Sequence, residues 1–273
     1  MHSNSEIKLC NEIKTRQTKN FELLLEFDQI CKANNLFYTL AYGTALGAIR
    51  DQNLIPWDCD IDVIIDLKTY EFLKKHYANR ILDNQYSHHC YQFPRFIFAN
   101  DVDEKNEKPI FIDMFILIPT TIKKVKKYIN SFKNKADATK GYFNRNIFFI
   151  QPKLMKFVQK LLKFFLFKNK TLTIDSSINQ LLESNWNKND PDSLYVLSIW
   201  PSNFKKIKNQ HLLKNQYVLN DLTTVSINNH QFSFFKDKEV IMEQWYGPNW
   251  KIPIQEKNWY FYGYYEKGKK KAD

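Results

Sequence analysis

The chain has 273 residues, 44% hydrophobic and 16% aromatic, with a formal net charge of +11. That length suits one large domain with a sizeable core, and the apolar content excludes a disordered chain. The basic balance favours anionic partners, yet only five of the 40 basic residues are Arg (Arg16, Arg50, Arg80, Arg95, Arg145). The planar Arg fork is what base and phosphate recognition prefers, so much of the lysine excess reads as solvated surface, with no dedicated nucleic-acid partner.

Cys10, Cys31, Cys59 and Cys90 are too widely spaced for a zinc knuckle or a redox pair and fit a reduced, cytosolic protein. Met1 to Asn20 is polar and lacks the apolar region of a signal peptide, and no run approaches the ~20 apolar residues that span a bilayer. The expected location is cytoplasmic.

Residues 6–33 carry Ile13, Phe21, Leu24, Leu25 and Ile30 at helical spacing, which predicts a long helix closing near Asn34-Asn35. Phe37 to Tyr42 reads as a short strand, Gly43-Thr44 as a turn, and Ala45 to Arg50 as a helical turn. After Pro56, the alternation from Asp60 to Asp66 predicts a strand, and Leu67 to Asn79 a helix. Gln92 to Ala99 and Ile110 to Ile118 read as strands, the second apolar except for Asp113. Residues 120–175 are Lys-rich and irregular, the expected place of an insertion. A helix is expected at 178–190, short apolar pieces over 195–236, and a last helix over Asp237 to Trp245. There is no internal repeat and no Gly/Ser linker, so the chain is read as one domain over 1–273.

Alternate residues of a strand share a face, which sets Asp60 and Asp62 about 6.5–7 Å apart at Cα. Two converging carboxylates repel unless a cation sits between them, and hard oxygen ligands suit Mg²⁺ or Mn²⁺. Asp58 has the same parity and can join them. Asp113 is the sharper clue, because a lone carboxylate in an apolar strand is costly to bury unpaired. Beside the Asp60–Asp62 strand it becomes the third carboxylate of a metal site. Gly43 and Thr44 offer backbone N–H groups and a hydroxyl to phosphate oxygens at a helix start, and Arg50 follows, placed to neutralise a diphosphate. An isolated Asp-x-Asp is more often a surface feature. The co-occurrence of these residues is what points to a metal–phosphate site.

The segments Tyr42-Gly43-Thr44-Ala45-Leu46-Gly47-Ala48-Ile49-Arg50 and Ile55-Pro56-Trp57-Asp58-Cys59-Asp60-Ile61-Asp62-Val63 resemble the signature of the LicD family. That family comprises bacterial phosphocholine transferases and fukutin-type relatives within the nucleotidyltransferase-fold superfamily. Ile112-Asp113-Met114-Phe115 looks like the family's third-carboxylate strand, and Tyr246-Gly247-Pro248-Asn249-Trp250 resembles its C-terminal motif. Cys59 departs from the third consecutive Asp that many members carry.

The resemblance implies an α+β, nucleotidyltransferase-like fold: a mixed β-sheet flanked by helices, its core at about 20–120 and 230–260, with 120–230 as a Lys-rich helical elaboration. It also implies a CDP-alcohol donor, CDP-choline in the usual bacterial case and CDP-ribitol or CDP-glycerol in relatives, with a glycan or lipid-linked glycan as acceptor. Asp60, Asp62 and Asp113 would hold Mg²⁺ against the donor diphosphate, and Asp58 is the candidate proton acceptor.

Lys153 to Lys170 places Lys153, Lys156, Lys160 and Lys163 opposite Leu154, Val158, Leu161, Leu162 and Phe165. That pattern serves either a peripheral membrane contact or an ordinary helix with a lysine-covered outer face. Tyr246 and Trp250 are open between stacking on a ligand and packing in the core. His88-His89 has no assigned role, and the lysines at 267–271 read as a terminus. Two other activities stay open: a nucleotidyltransferase moving NMP from an NTP, and a basic nucleic-acid-binding module, which would leave Asp113 unexplained.

Overall fold

The run Ile61-Asp62-Val63-Ile64-Ile65-Asp66 is β-branched almost throughout, and such side chains favour the pleated, buried environment of a central strand. In the computed structural model this run is strand β2 (Ile61–Asp66), with Ile61, Val63, Ile64 and Ile65 fully buried. The structure describes residues 4–84, 89, 91–98, 110–144, 172–198, 211–219 and 221–254. Beside β2 runs the longer β5 (Phe111–Thr121), parallel and in register from Ile61↔Ile112 to Asp66↔Leu117. β5 buries Phe111, Ile112, Met114, Ile116, Leu117 and Ile118. At about 1.5–3 kcal/mol each, these residues offset the several kcal/mol that desolvating one carboxylate, Asp113, costs in the same strand.

Around this pair the sheet is antiparallel. β1 (Tyr38–Leu40) flanks β2, while β4 (Arg95–Ile97) and then β6 (Ser193–Leu197) pair with the opposite edge of β5. β3 (Ile81–Leu82) and β7 (Leu212–Leu213) extend it beyond β4 and β6. A separate hairpin, β8 (Leu222–Ile227) and β9 (His230–Phe235), packs on β1 and on helix α2 (Tyr42–Arg50). Its turn residues Asn228 and Asn229 both have positive φ, 49° and 66°, the conformation that two-residue hairpin loops require and Asn tolerates. Mixed pairing with helices on the sheet makes this an α+β fold.

Helix α1 (Asn4–Ala33) lies across β2 and β5. Helix α3 (Leu67–His76) starts where the Asp66 side chain accepts a hydrogen bond from Thr69 N–H at 2.8 Å, an N-cap. Helices α4 (Ile122–Asn130), α5 (Phe132–Asn144) and α6 (Ile174–Leu181) follow, with α4 and α6 packed on β5. The short α7 (Asn215–Leu219) and α8 (Lys238–Tyr246) are the last helices among the described residues. No helix among the described residues is long and apolar enough to cross a membrane.

Several expected boundaries move. α2 begins at Tyr42, so Gly43 and Thr44 lie within its first turn rather than in a turn before it; Tyr42 takes φ +37° and lets the chain pass from strand directly to helix. The strand expected over 92–99 is reduced to Arg95–Ile97, preceded by Pro94, which has no N–H for a ladder. The helix expected over 178–190 lies instead at Ile174–Leu181, capped by Thr173 accepting from Ser176 N–H. The Lys153–Lys170 segment lies outside the described residues, as do His88 and the lysines at 267–271.

Candidate metal centre

The parallel register sets Asp62 directly beside Asp113. Like charges in that position repel, and Asp60, one residue before β2, adds a third. One carboxylate oxygen from each of Asp60, Asp62 and Asp113 lies within 4.8 Å of the others. Asp58 belongs to the same group: its carboxyl is hydrogen-bonded to that of Asp60 and accepts from Cys59 N–H at 3.0 Å. All four carboxyls are pushed up from the ordinary aspartate range, chiefly by burial; Asp60 and Asp62 are also raised by their neighbours' charges. Asp113 reaches about 6 even though Arg95 and Arg16 pull it down. An all-oxygen set, half-buried at Asp60 and Asp62 and buried at Asp113, with excess negative charge is what a hard divalent cation fits.

The surrounding residues fix this geometry. A Cβ at Gly43 would collide with Asp58 Oδ2, so only glycine lets that carboxylate lie against α2. One helical turn on, a Cβ at Gly47 would meet the Asn53 carbonyl at 2.5 Å. The connection between α2 and β2 therefore runs back along a side-chain-free stripe of the helix. Thr44 is buried, and its hydroxyl accepts from Asp62 N–H at 2.9 Å, tying α2 to the strand that carries the aspartates.

Arg50, at the far end of α2, grips Asp51 with both Nε (2.8 Å) and a terminal nitrogen (2.6 Å). The fold thus brings Asp58, Asp60, Asp62, Asp113, Gly43 and Thr44 together, and leaves the Arg50 fork on its sequence neighbour.

The arginine at the centre is Arg95. It is fully buried on β4, its Nε donates to Asp113 Oδ1 at 2.6 Å, and its guanidinium lies 3.8 Å from the Phe111 ring centroid. Arg16 of α1 lies over the same ring at 5.0 Å. Composition counted both as ordinary basic residues. The only sequence hint at Arg95 was its place in a short apolar segment after Pro94.

On another side, Tyr42 packs within 4.9 Å (ring centroids) of both Phe115 and Trp245, and its hydroxyl is hydrogen-bonded to His211 Nδ1 at 3.0 Å. Burial and then Asp62 keep Tyr42 neutral. Tyr246 leaves 41% of its surface exposed, while its hydroxyl end is pushed up by local desolvation and then by the charges of Asp62, Asp58 and Asp60. Trp250 is buried in the core, which closes the question left open for that residue. His211, 169 residues from Tyr42 in sequence, carried no local signal that could have assigned it here.

Residues 35–161 match the family model described as LicD/FKTN/FKRP, nucleotidyltransferase domain. The chain is 27% identical over 115 residues to the lipopolysaccharide cholinephosphotransferase LicD of Haemophilus influenzae, covering 38% of this chain and 43% of that protein. It is 30% identical over 61 residues to an uncharacterized protein of Rickettsia typhi, covering 22% and 20% of the two chains. The chain thus spans less than half the length of these curated relatives. The matched segment, 35 to 161, carries all four carboxylates and is similar to the nucleotidyltransferase domain of LicD-type proteins.

Proposed function

We propose that this protein transfers a phospho-alcohol group, phosphocholine foremost, from a CDP-alcohol onto a hydroxyl of a cell-surface glycan. Asp60, Asp62 and Asp113 would hold Mg²⁺ or Mn²⁺. The observation that carries the reading is the Asp62–Asp113 register pair with Asp60 closing the triad within 4.8 Å. Support for the transferred group comes from the relative in H. influenzae, whose name describes phosphocholine transfer involving lipopolysaccharide.

When bound, the metal supplies charge neutralisation for the donor's phosphate oxygens and polarises the phosphorus. The chain's own residues do the rest. Arg95 orients Asp113 and keeps that carboxylate from rotating away. Thr44 sets the β2 backbone at Asp62. Asp58, its carboxyl raised toward neutrality by burial, accepts the proton of the acceptor hydroxyl; a base shifted in this direction is better matched to neutral pH. Gly43 leaves room for Asp58 and presents helix-start N–H groups to a phosphate. Tyr42 packed on Trp245, with the partly exposed Tyr246, forms an aromatic side that borders the carboxylates.

The test is thermal stabilisation by CDP-choline, CDP-ribitol, CDP-glycerol and NTPs, each with Mg²⁺, followed by product analysis. A large shift with one CDP-alcohol and release of CMP is the expected result. Stabilisation by NTPs alone, with pyrophosphate released, would instead establish the second reading, NMP transfer, which the nucleotidyltransferase description of the matched domain favours.

A further inference from the structure

Between α2 and β2 the chain forms a loop, residues 51–60, that delivers Asp58 and Asp60 to the centre. Its Ile55, Asp58 and Cys59 carbonyls point away from the sheet ladder and toward α1. Buried carbonyls need donors, and α1 supplies them from one face. Gln17 Nε2 donates to the Ile55 carbonyl at 2.8 Å and to the Asp58 carbonyl at 2.6 Å. Asn20 Nδ2 and Arg16 Nε both donate to the Cys59 carbonyl, at 2.8 and 3.0 Å. Asn20 is 1% exposed and Arg16 7%. The opposite side of the loop rests on the glycine stripe of α2, where Gly43 meets Asp58 and Gly47 meets Asn53 and Ile55.

We infer that Gln17 and Asn20 of α1 are positioning residues for the carboxylate centre: they clamp the loop from behind, so that Asp58 and Asp60 converge on Asp62 and Asp113. All three donor residues lie upstream of residue 35, where the family match begins. The amino-terminal helix is then part of the active machinery and not only a cover for the sheet. A helix that merely packed on β2 and β5 would need apolar residues here. Carboxamides facing three carbonyls contribute direction: the bonds to the Asp58 and Cys59 carbonyls fix the peptide planes next to Asp58 and Asp60, and the bond to the Ile55 carbonyl holds the turn that receives Asp58 N–H. The inference rests on the metal reading proposed above.

Two measurements on the full chain test it, using Gln17→Leu and Asn20→Ala, with Asn134→Leu as a control. Asn134 is a buried carboxamide bonded to the Tyr128 carbonyl and Gln180 Oε1 between α4, α5 and α6. The first measurement is amide hydrogen exchange of the metal-free protein. Asp58 N–H is bonded to the Ile55 carbonyl and Cys59 N–H to Asp58 Oδ1; both should exchange at least about 10-fold faster in each α1 variant, and unchanged in the control.

The second is Mg²⁺ titration followed by calorimetry. Binding should weaken about 10- to 100-fold in each α1 variant, as for residues that support metal ligands, while the control loses thermal stability and keeps wild-type affinity. Unchanged exchange, or faster exchange with wild-type Mg²⁺ affinity, overturns the positioning role and leaves the metal reading standing. A wild-type protein that takes up neither Mg²⁺ nor Mn²⁺ overturns the metal reading, and this inference falls with it. Either α1 variant alone carries the test if the other fails to fold.

Discussion

The two ends of α1 handle buried charge in opposite ways. Toward its C-terminus Glu26 and Asp28 each have their own cation. Arg80 forks onto Glu26 at 2.5 and 2.8 Å and donates to the Ile97 carbonyl, while Asp28 accepts from Lys32 at 2.7 Å and from the Tyr38 hydroxyl. About three turns earlier, the same helix faces a centre in which four aspartates share two arginines, Arg16 and Arg95. The balanced end ties α1 to β1 and β4 and is complete as it stands. In the function proposed above, a cation completes the unbalanced end. A local excess of buried charge, more than the mere presence of charge, separates a site from a structural network.

That contrast can be broken or sharpened by substitution. The largest effect is expected for Arg95→Met, which strands the Asp113 carboxylate in the core. Chemical denaturation at neutral pH should show a loss of about 3–5 kcal/mol, and Arg95→Met/Asp113→Asn should recover most of it. A loss that the second substitution does not repair would mean that Arg95 acts mainly through its packing on Phe111.

Next comes Asp62→Asn. Transfer activity and Mg²⁺ affinity should both fall more than about 100-fold, beyond the effect of losing a residue that only supports a ligand. The metal-free melting temperature should rise, because one of the repelling carboxylates is gone. If it falls instead, the centre is a structural network after all.

A pH dependence follows from Asp113. In the fold it keeps its proton up to about pH 6, whereas an unfolded aspartate releases it near ~4. Across that window the native state binds more protons, so stability falls as pH rises. In EDTA the melting temperature should therefore be higher at pH 5 than at pH 7, and Asp113→Asn should reduce the difference without abolishing it, because Asp58, Asp60 and Asp62 are raised as well. Saturating Mg²⁺ should shrink it too, because the metal favours the ionised carboxylates.

The smallest effect belongs to the balanced end. The Glu26 side chain is 41% exposed, so Glu26→Gln should cost no more than about 1 kcal/mol and leave the Mg²⁺ affinity untouched. A change in metal affinity would show that the two ends of α1 are coupled.

Asp60, Asp62 and Asp113 were legible from sequence because a strand's period of two is local and a lone carboxylate in an apolar strand stands out. So were the aspartate strand, the long first helix and the last helix, all marked by strong periodicity. Gly43 and Thr44 were legible as site residues but not in their geometry. Gly43 makes room for Asp58, and the Thr44 hydroxyl holds Asp62 N–H; both contacts depend on how the loop returns along α2.

What the sequence by itself determined, then, is the set of carboxylates and the strands that carry them, since side-chain alternation and burial cost act within a few residues. Only the tertiary structure decided which groups surround them. Gln17 and Asn20 fall in a stretch that reads only as polar, Arg95 is one basic residue among 40, and His211 stands in no local motif. Their partners lie from 18 to 169 residues away in the chain, and a hydrogen bond or an ion pair over that separation exists only once the sheet has set its register.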